Sequence, residues 1–246
     1  VVIWKLSYIC CDKLSSNLLL YFIYMEIIKG DIHNIILDLP DNKYDMIYTD
    51  PPFATTENKW DTPLRWNEIF KQMWRVLKPN GVIILHSSMP FTYDLIVAER
   101  PKYHWIWIKD RSTNFFHAKK QPLRKQEEIL VFYKKQPTYN PQMTGNTWIA
   151  ECCAGKSEYY GSRGENKNPK KKGHYGKYPT NILEFPRHIR GASTRPDELV
   201  DYFINTYTNP GNHILDITCY SALTGKRAIL LGREYTGVDL NPQLED

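Results

Sequence analysis

The segment Asp50-Pro51-Pro52-Phe53 combines residue types that can do chemistry together. Neither proline donates a backbone hydrogen bond, and each has a fixed φ. The segment is therefore rigid, and its prolines offer carbonyls that only accept. Asp50 adds a carboxylate acceptor, and Phe53 adds a flat apolar face. A rigid pair of acceptors beside an aromatic plate suits a planar ring that carries an exocyclic NH₂. The amine donates to the Asp50 carboxylate and the Pro51 carbonyl while the ring stacks on Phe53. This geometry turns the nitrogen lone pair out of conjugation and toward an electrophile. A plain Pro-Pro turn is the competing reading. The run before it, Tyr44–Tyr48 (YDMIY), reads as a short buried strand and favours the chemical one.

Strands and helices must alternate to position such a segment, and from Met25 onward they do. Glu26–Lys29 is a short apolar strand ending in Gly30-Asp31, and Ile32, Ile35, Ile36 and Leu39 follow at helical spacing. Asn67–Lys78 places Ile69, Phe70, Met73, Trp74, Val76 and Leu77 on one helical face, and Lys-Pro-Asn-Gly at 78–81 stops it. Val82–His86 is a buried strand, Thr92–Ala98 a helix, and Trp105–Ile108 with Ile129–Tyr133 a pair of strands. After Ile182–Phe185 the pattern is helix Pro196–Tyr207, strand His213–Ile217, helix Thr224–Leu231 and strand Tyr235–Asp239. Pro196 suits a first helical turn, and Asp197 and Glu198 suit its dipole. This order predicts an α/β fold, a mostly parallel, doubly wound sheet covered on both faces. Such sheets bind ligands beyond the carboxyl ends of their strands.

Between Lys134 and about Tyr178 apolar periodicity fades. Asn166–Lys177 carries five lysines, Lys167, Lys170, Lys171, Lys172 and Lys177, and no acid. A solvated loop and a phosphate-binding surface are both consistent with that run. The chain has 32 Lys+Arg against 27 Asp+Glu, a formal charge of +5, which permits a nucleic-acid partner without demanding one. There is no apolar run long enough to span a bilayer. The five cysteines show no C-x-x-C spacing, so a metal site or disulfide scaffold is not expected, and a reducing cytoplasm suits them. Residues 1–24 are apolar but interrupted by Lys5, Asp12 and Lys13, and Met25 is the first methionine. This stretch is expected to stand outside the fold, as non-native or disordered sequence.

The string YDMIYTDPPF after Gly30-Asp31 and a helix resembles the permuted (beta-class) DNA amino-methyltransferases. The resemblance runs from about Ile27 to Asn241. It implies a Rossmann-like fold and transfer of a methyl group from S-adenosylmethionine to adenine N6 or cytosine N4 in double-stranded DNA. It assigns catalysis to Asp50, Pro51, Pro52 and Phe53, with Phe53 stacking on a flipped base. Asp rather than Ser at the first position favours adenine. Thr113-Asn114-Phe115, Pro122-Leu123-Arg124 and Glu128–Tyr133 match the segment before the family's target-recognition region. The implied organisation is a catalytic half at 25–139, a DNA-recognition insert at 140–180 and a cofactor half at 181–246. Lysines 167, 170, 171, 172 and 177 would then meet phosphates, and Tyr159, Tyr160, Tyr175 and Tyr178 would contact DNA or pack.

For the cofactor, the resemblance implies Asp31, Asp216, Thr218, Ser221 and Asp239, with Asp239 on ribose hydroxyls and Asp31 near the adenine. Thr194-Arg195-Pro196 loosely resembles the family's Thr-Gln-Lys-Pro. The family's Asp-Pro-Phe-x-Gly-x-Gly turn is altered here: Thr218 replaces the phenylalanine, and Tyr220 and Ala222 stand where the glycines belong. Glycine there allows a tight turn close to the cofactor. A working enzyme and a DNA-binding relic are the two outcomes. Only Leu240–Asp246 follows the last acidic strand, so either an apolar patch is exposed at that end or a second copy or another partner covers it. His86 is read as structural rather than as a base, and Cys219 as a small buried residue. Trp60 and Trp66 either close on substrate or pack.

Overall fold

The computed structural model describes residues 2–12, 19–54, 58, 61–113, 115–150, 173–187 and 195–243. In chain order the strands are β1 (Val2–Asp12), β2 (Leu19–Lys29), β3 (Tyr44–Thr49), β4 (Leu77–Ser87), β5 (Tyr103–Thr113), β6 (Arg124–Phe132), β7 (Thr144–Ala150), β8 (Gly173–Lys177), β9 (Ile182–Glu184), β10 (His213–Asp216) and β11 (Glu234–Asp239). The helices are α1 (Ile32–Asp38), α2 (Trp66–Val76), α3 (Phe91–Ala98), α4 (Asp197–Tyr207) and α5 (Leu223–Leu230). Two compact units result, Val1–Asn140 with Asn181–Asp246, and Pro141–Thr180. Among the described residues no helix is long and apolar enough to cross a membrane.

The larger unit is a nine-stranded sheet in the order β1-β2-β11-β10-β3-β4-β6-β5-β9. Its centre, β2 to β4, is parallel. β6 reverses direction against both β4 and β5. Two apolar clusters cover the two faces. α1, α2 and α3 pack with Ile47, Ile83, Leu85, Leu130 and Phe132 on one side. α4 and α5 pack with Met46, Tyr48, Val82, Ile84, Trp105, Trp107, Ile129 and Val131 on the other. Successive strand residues alternate between these clusters, as the period of two requires. Each large buried side chain contributes roughly 1.5–3 kcal/mol by leaving water.

The helices have visible local causes. Asp31 caps α1 by accepting from the His33 N–H at 2.9 Å. α2 buries Trp66, Ile69, Phe70, Met73 and Val76 along one stripe. α4 begins after Pro196 with Asp197 and Glu198 in its first turn.

Of the two alternatives for residues 1–24, disorder does not hold for those described. Val2–Asp12 runs antiparallel along Leu19–Lys29. β11 occupies one edge of β2 only over Met25–Lys29. The other edge of β2 offers unpaired backbone groups, which β1 satisfies.

The smaller unit is the β7–β8 hairpin, in which Trp148 pairs with Tyr175 and their rings meet edge-on at 5.0 Å. Lys177, Tyr175 and Tyr178 are exposed on it. Lys167, Lys170, Lys171 and Lys172, with Tyr159 and Tyr160, lie outside the described residues, as do Trp60, Asn114 and Thr194.

Candidate active site

β3 delivers Asp50-Pro51-Pro52-Phe53 to the carboxyl edge of the sheet, and its parallel neighbour β10 delivers the 216–222 turn to the same edge. Side chains tie the two together. Thr49 Oγ1 donates to Asp216 Oδ1 at 2.7 Å, and Thr218 Oγ1 donates to the Asp50 carbonyl at 3.0 Å. The Thr49 and Thr218 hydroxyls are 2.6 Å apart. Asp216 is buried, which pushes its carboxyl above the usual carboxylate range against hydrogen bonds from Thr49 and the Thr218 N–H. It therefore supports the turn from inside.

Phe53 is half-buried and stacks on Phe91 at 5.1 Å and 19°, and Trp66 is tilted against Phe91 at 5.6 Å. Trp66 thus packs. The chain turns at Ala54 (φ 53°), whose N–H is held by Asp61 Oδ1 at 2.6 Å.

Asp239 sits at the end of β11, where its two carboxylate oxygens accept from the Tyr220 N–H at 2.9 Å and the Asn241 N–H at 2.8 Å. The carbonyl of Asp239 accepts from Gly30, which brings Asp31 to the same edge. The Asp31 carboxyl is held below its ordinary value chiefly by the His33 backbone hydrogen bond. Tyr220 (φ 40°) and Ala222 (φ 54°) both occupy the left-handed region that favours glycine. The turn keeps a glycine conformation without its glycines. The Tyr220 side chain is accommodated by pointing to solvent, Ser221 is partly exposed, and Ala222 is buried at the start of α5.

A buried polar network underlies Asp50. His86 Nδ1 is 2.8 Å from Glu127 Oε1, Lys109 Nζ is 2.7 Å from Glu127 Oε2, and the Tyr48 hydroxyl is 2.8 Å from His86 Nε2. Arg195, just before α4, forms an ion pair with Asp50. Burial opposes the Glu127 charge, but His86 and Lys109 together hold its carboxyl below the ordinary value. Because ionised Glu127 only accepts, His86 Nδ1 must donate to it. The 3.3 Å approach of Arg195 Nε to that same nitrogen is then a contact between two donors, and the guanidinium turns to Asp50. Burial lowers the Arg195 pKa to about 10, which leaves it charged at neutral pH.

Asp50, His86 and Glu127 offer ligand atoms within 4.8 Å of one another. Their two carboxylates are already balanced by Arg195 and Lys109, so the trio is an ion-pair network rather than a cation cage. Sequence reasoning missed Lys109 and Glu127. The available signal was period two: Lys109 continues Trp105 and Trp107, and Glu127 precedes Ile129 and Val131, on the α4 face of the sheet.

Three comparisons bear on this geometry. The chain is 28% identical over 238 residues to the DNA adenine methyltransferase YhdJ of Escherichia coli (strain K12), covering 88% of this chain and 79% of that protein. It is 26% identical to the type II methyltransferase M.BglII of Bacillus subtilis, covering 90% and 67%. The solved PvuII DNA methyltransferase, cytosine-N4-specific, shares the fold at a TM-score of 0.62 and 14% identity, over 89% of this chain and 82% of that one. The DNA methylase family model matches residues 44–246, from β3 through Asp50–Phe53 and the 216–222 turn, and the chain belongs to that family.

Proposed function

We infer that this chain transfers a methyl group from S-adenosylmethionine to the exocyclic amine of a base in double-stranded DNA, with adenine N6 as the acceptor. The observation that carries this reading is the pairing of β3 with β10, which sets Asp50–Phe53 directly beside the 216–222 turn. The residues present fit the cofactor. The turn adopts the left-handed backbone that close approach requires, and the Asp239 and Asp31 carboxylates stand at the same edge. Asp31, Thr218, Ser221 and Asp239 would hold it, with Asp216 supporting the turn beneath. When bound it supplies an electrophilic methyl group on a sulfonium.

The chain's own residues orient the acceptor. The amine donates to Asp50 and to the Pro51 carbonyl, and the base stacks on the face of Phe53 that Phe91 does not cover. The amine replaces part of the Arg195 contact, so Asp50 keeps a balancing charge. Once methylated, the cationic nitrogen loses its proton easily, and the Asp50 carboxylate is the nearest acceptor. Proximity and orientation are most of the rate gain. The adenine assignment is supported by Asp50 itself and by the Escherichia coli relative, named as a DNA adenine methyltransferase.

Labelled methyl transfer to unmethylated DNA followed by nucleoside analysis tests this. Label is expected in N6-methyladenine and lost in Asp50→Ala. Label in N4-methylcytosine would replace the base assignment. No S-adenosylmethionine binding by calorimetry would end the enzymatic reading.

A further inference from the structure

The β5–β6 hairpin carries a surface that the site above does not use. β6 is antiparallel to β4, with Ser87 opposite Glu128, and β5 is antiparallel to β6, with Ile108 opposite Gln126 and Thr113 opposite Arg124. Residues beyond Lys109 and before Glu127 therefore project past the carboxyl edge of the sheet, the edge that holds Asp50–Phe53. Between positions 111 and 126 there are five Lys or Arg residues and no acid. At the tip, Phe116 is fully exposed and Phe115 largely so. Arg111, Lys119, Lys120 and Lys125 are exposed on the same segment, and Arg124 Nη2 braces the hairpin base on the Met89 carbonyl at 3.1 Å.

An exposed phenylalanine on a segment that carries five cations and no acid matches one occupant in charge and shape. Phosphates answer the cations, and an opened base step answers the ring. We propose that this hairpin grips the DNA duplex beside the target base and that Phe116 inserts into the space the base vacates when it leaves the stack. This rests on the reading of the chain as a DNA amino-methyltransferase. Filling the vacancy offsets the unstacking that delivers the base to Phe53. Lys119 and Lys120 contact flanking phosphates.

The test uses the full chain and a duplex carrying a sequence found methylated in plasmid DNA. Phe116→Ala is expected to lower methyl transfer to the intact duplex by about tenfold or more, because unstacking is no longer offset. The same variant should act within about twofold of wild type when the target faces an abasic site, where no base pair has to be broken and the flip needs less help. Phe116→Trp should restore duplex activity. Equal loss on both substrates, or no loss on the duplex, overturns the wedge. Lys119→Ala with Lys120→Ala should flatten the salt dependence of DNA binding by about 0.9 in log–log slope per lysine. An unchanged slope overturns the grip. If the unaltered chain transfers no methyl to any DNA, the reading of the site fails, while the salt slope still judges the hairpin.

Discussion

The Thr218 hydroxyl donates to the carbonyl oxygen of Asp50 at 3.0 Å, joining the 216–222 turn to Asp50–Phe53 through a residue that replaces the family's phenylalanine. The first carbonyl of that segment is thereby fixed by the turn across the sheet, so the two halves of the site share one support. A neutral hydrogen bond of this kind is worth about 1 kcal/mol. Thr218→Val should lower kcat about fivefold in labelled methyl transfer, with Thr218→Ser close to wild type. Unchanged kcat in Thr218→Val would make the tie incidental.

The residues Asp50–Phe53 were legible because two prolines after an apolar strand restrict the backbone wherever they occur. The helical stripes of α2 and α4 were legible for a similar reason, since their spacing alone decides which side is buried. The partners of Asp50 were not. Arg195 lies 145 positions further on in the chain, and only the packing of α4 on β3 and β4 brings it back. Glu127 looked like any charged residue beside Glu128. Burial on one face of β6 separates them, and the period of two that Glu127 shares with Ile129 and Val131 was the one signal of it. The pairing of Val2–Asp12 was not legible, because the edge of β2 that accepts it is the one left by β11, at the far end of the chain.

Glu127 balances Lys109 in a buried setting. Removing one partner of such a pair strands the other, at a cost of about 3–5 kcal/mol. Glu127→Gln should therefore lose that much in urea unfolding. Adding Lys109→Met should recover most of the stability, because no buried charge is then left alone. If the single variant unfolds like wild type, the pair is not the buried one described here.

Tyr220 and Ala222 hold left-handed backbone at a cost of roughly 1–2 kcal/mol each, partly offset because glycine gains freedom in the unfolded chain. Tyr220→Gly and Ala222→Gly should leave Tm unchanged or raised, and should tighten S-adenosylmethionine binding in calorimetry. Gly225 is the contrast, since a Cβ there would lie 2.6 Å from the Tyr235 ring. Gly225→Ala should destabilise by about 1–3 kcal/mol through overpacking. A marked fall in Tm for the two glycine variants would contradict the strain.

His213, at the start of β10, is half-buried against Tyr44 at 4.9 Å, with Nδ1 3.1 Å from Glu234 and Nε2 2.9 Å from the Thr236 hydroxyl. Burial first, then the charges of Lys43 and Lys78, push its pKa down to about 3. At neutral pH the imidazole is therefore uncharged, and the Glu234 contact is a hydrogen bond donated by Nδ1 rather than an ion pair. As pH falls below about 6.5 the unfolded chain takes up a proton that the folded chain refuses until about 3. The unfolded state then binds more protons, and stability drops with falling pH by up to about 1.4 kcal/mol per unit across that window. Above the window this contribution is fully present. His213→Gln keeps a side chain that can donate to Glu234 and accept from Thr236, but it cannot titrate. Urea midpoints measured at intervals between neutral pH and pH 4 should fall less steeply for this variant than for the unaltered chain. Parallel curves would mean that His213 is charged in the fold.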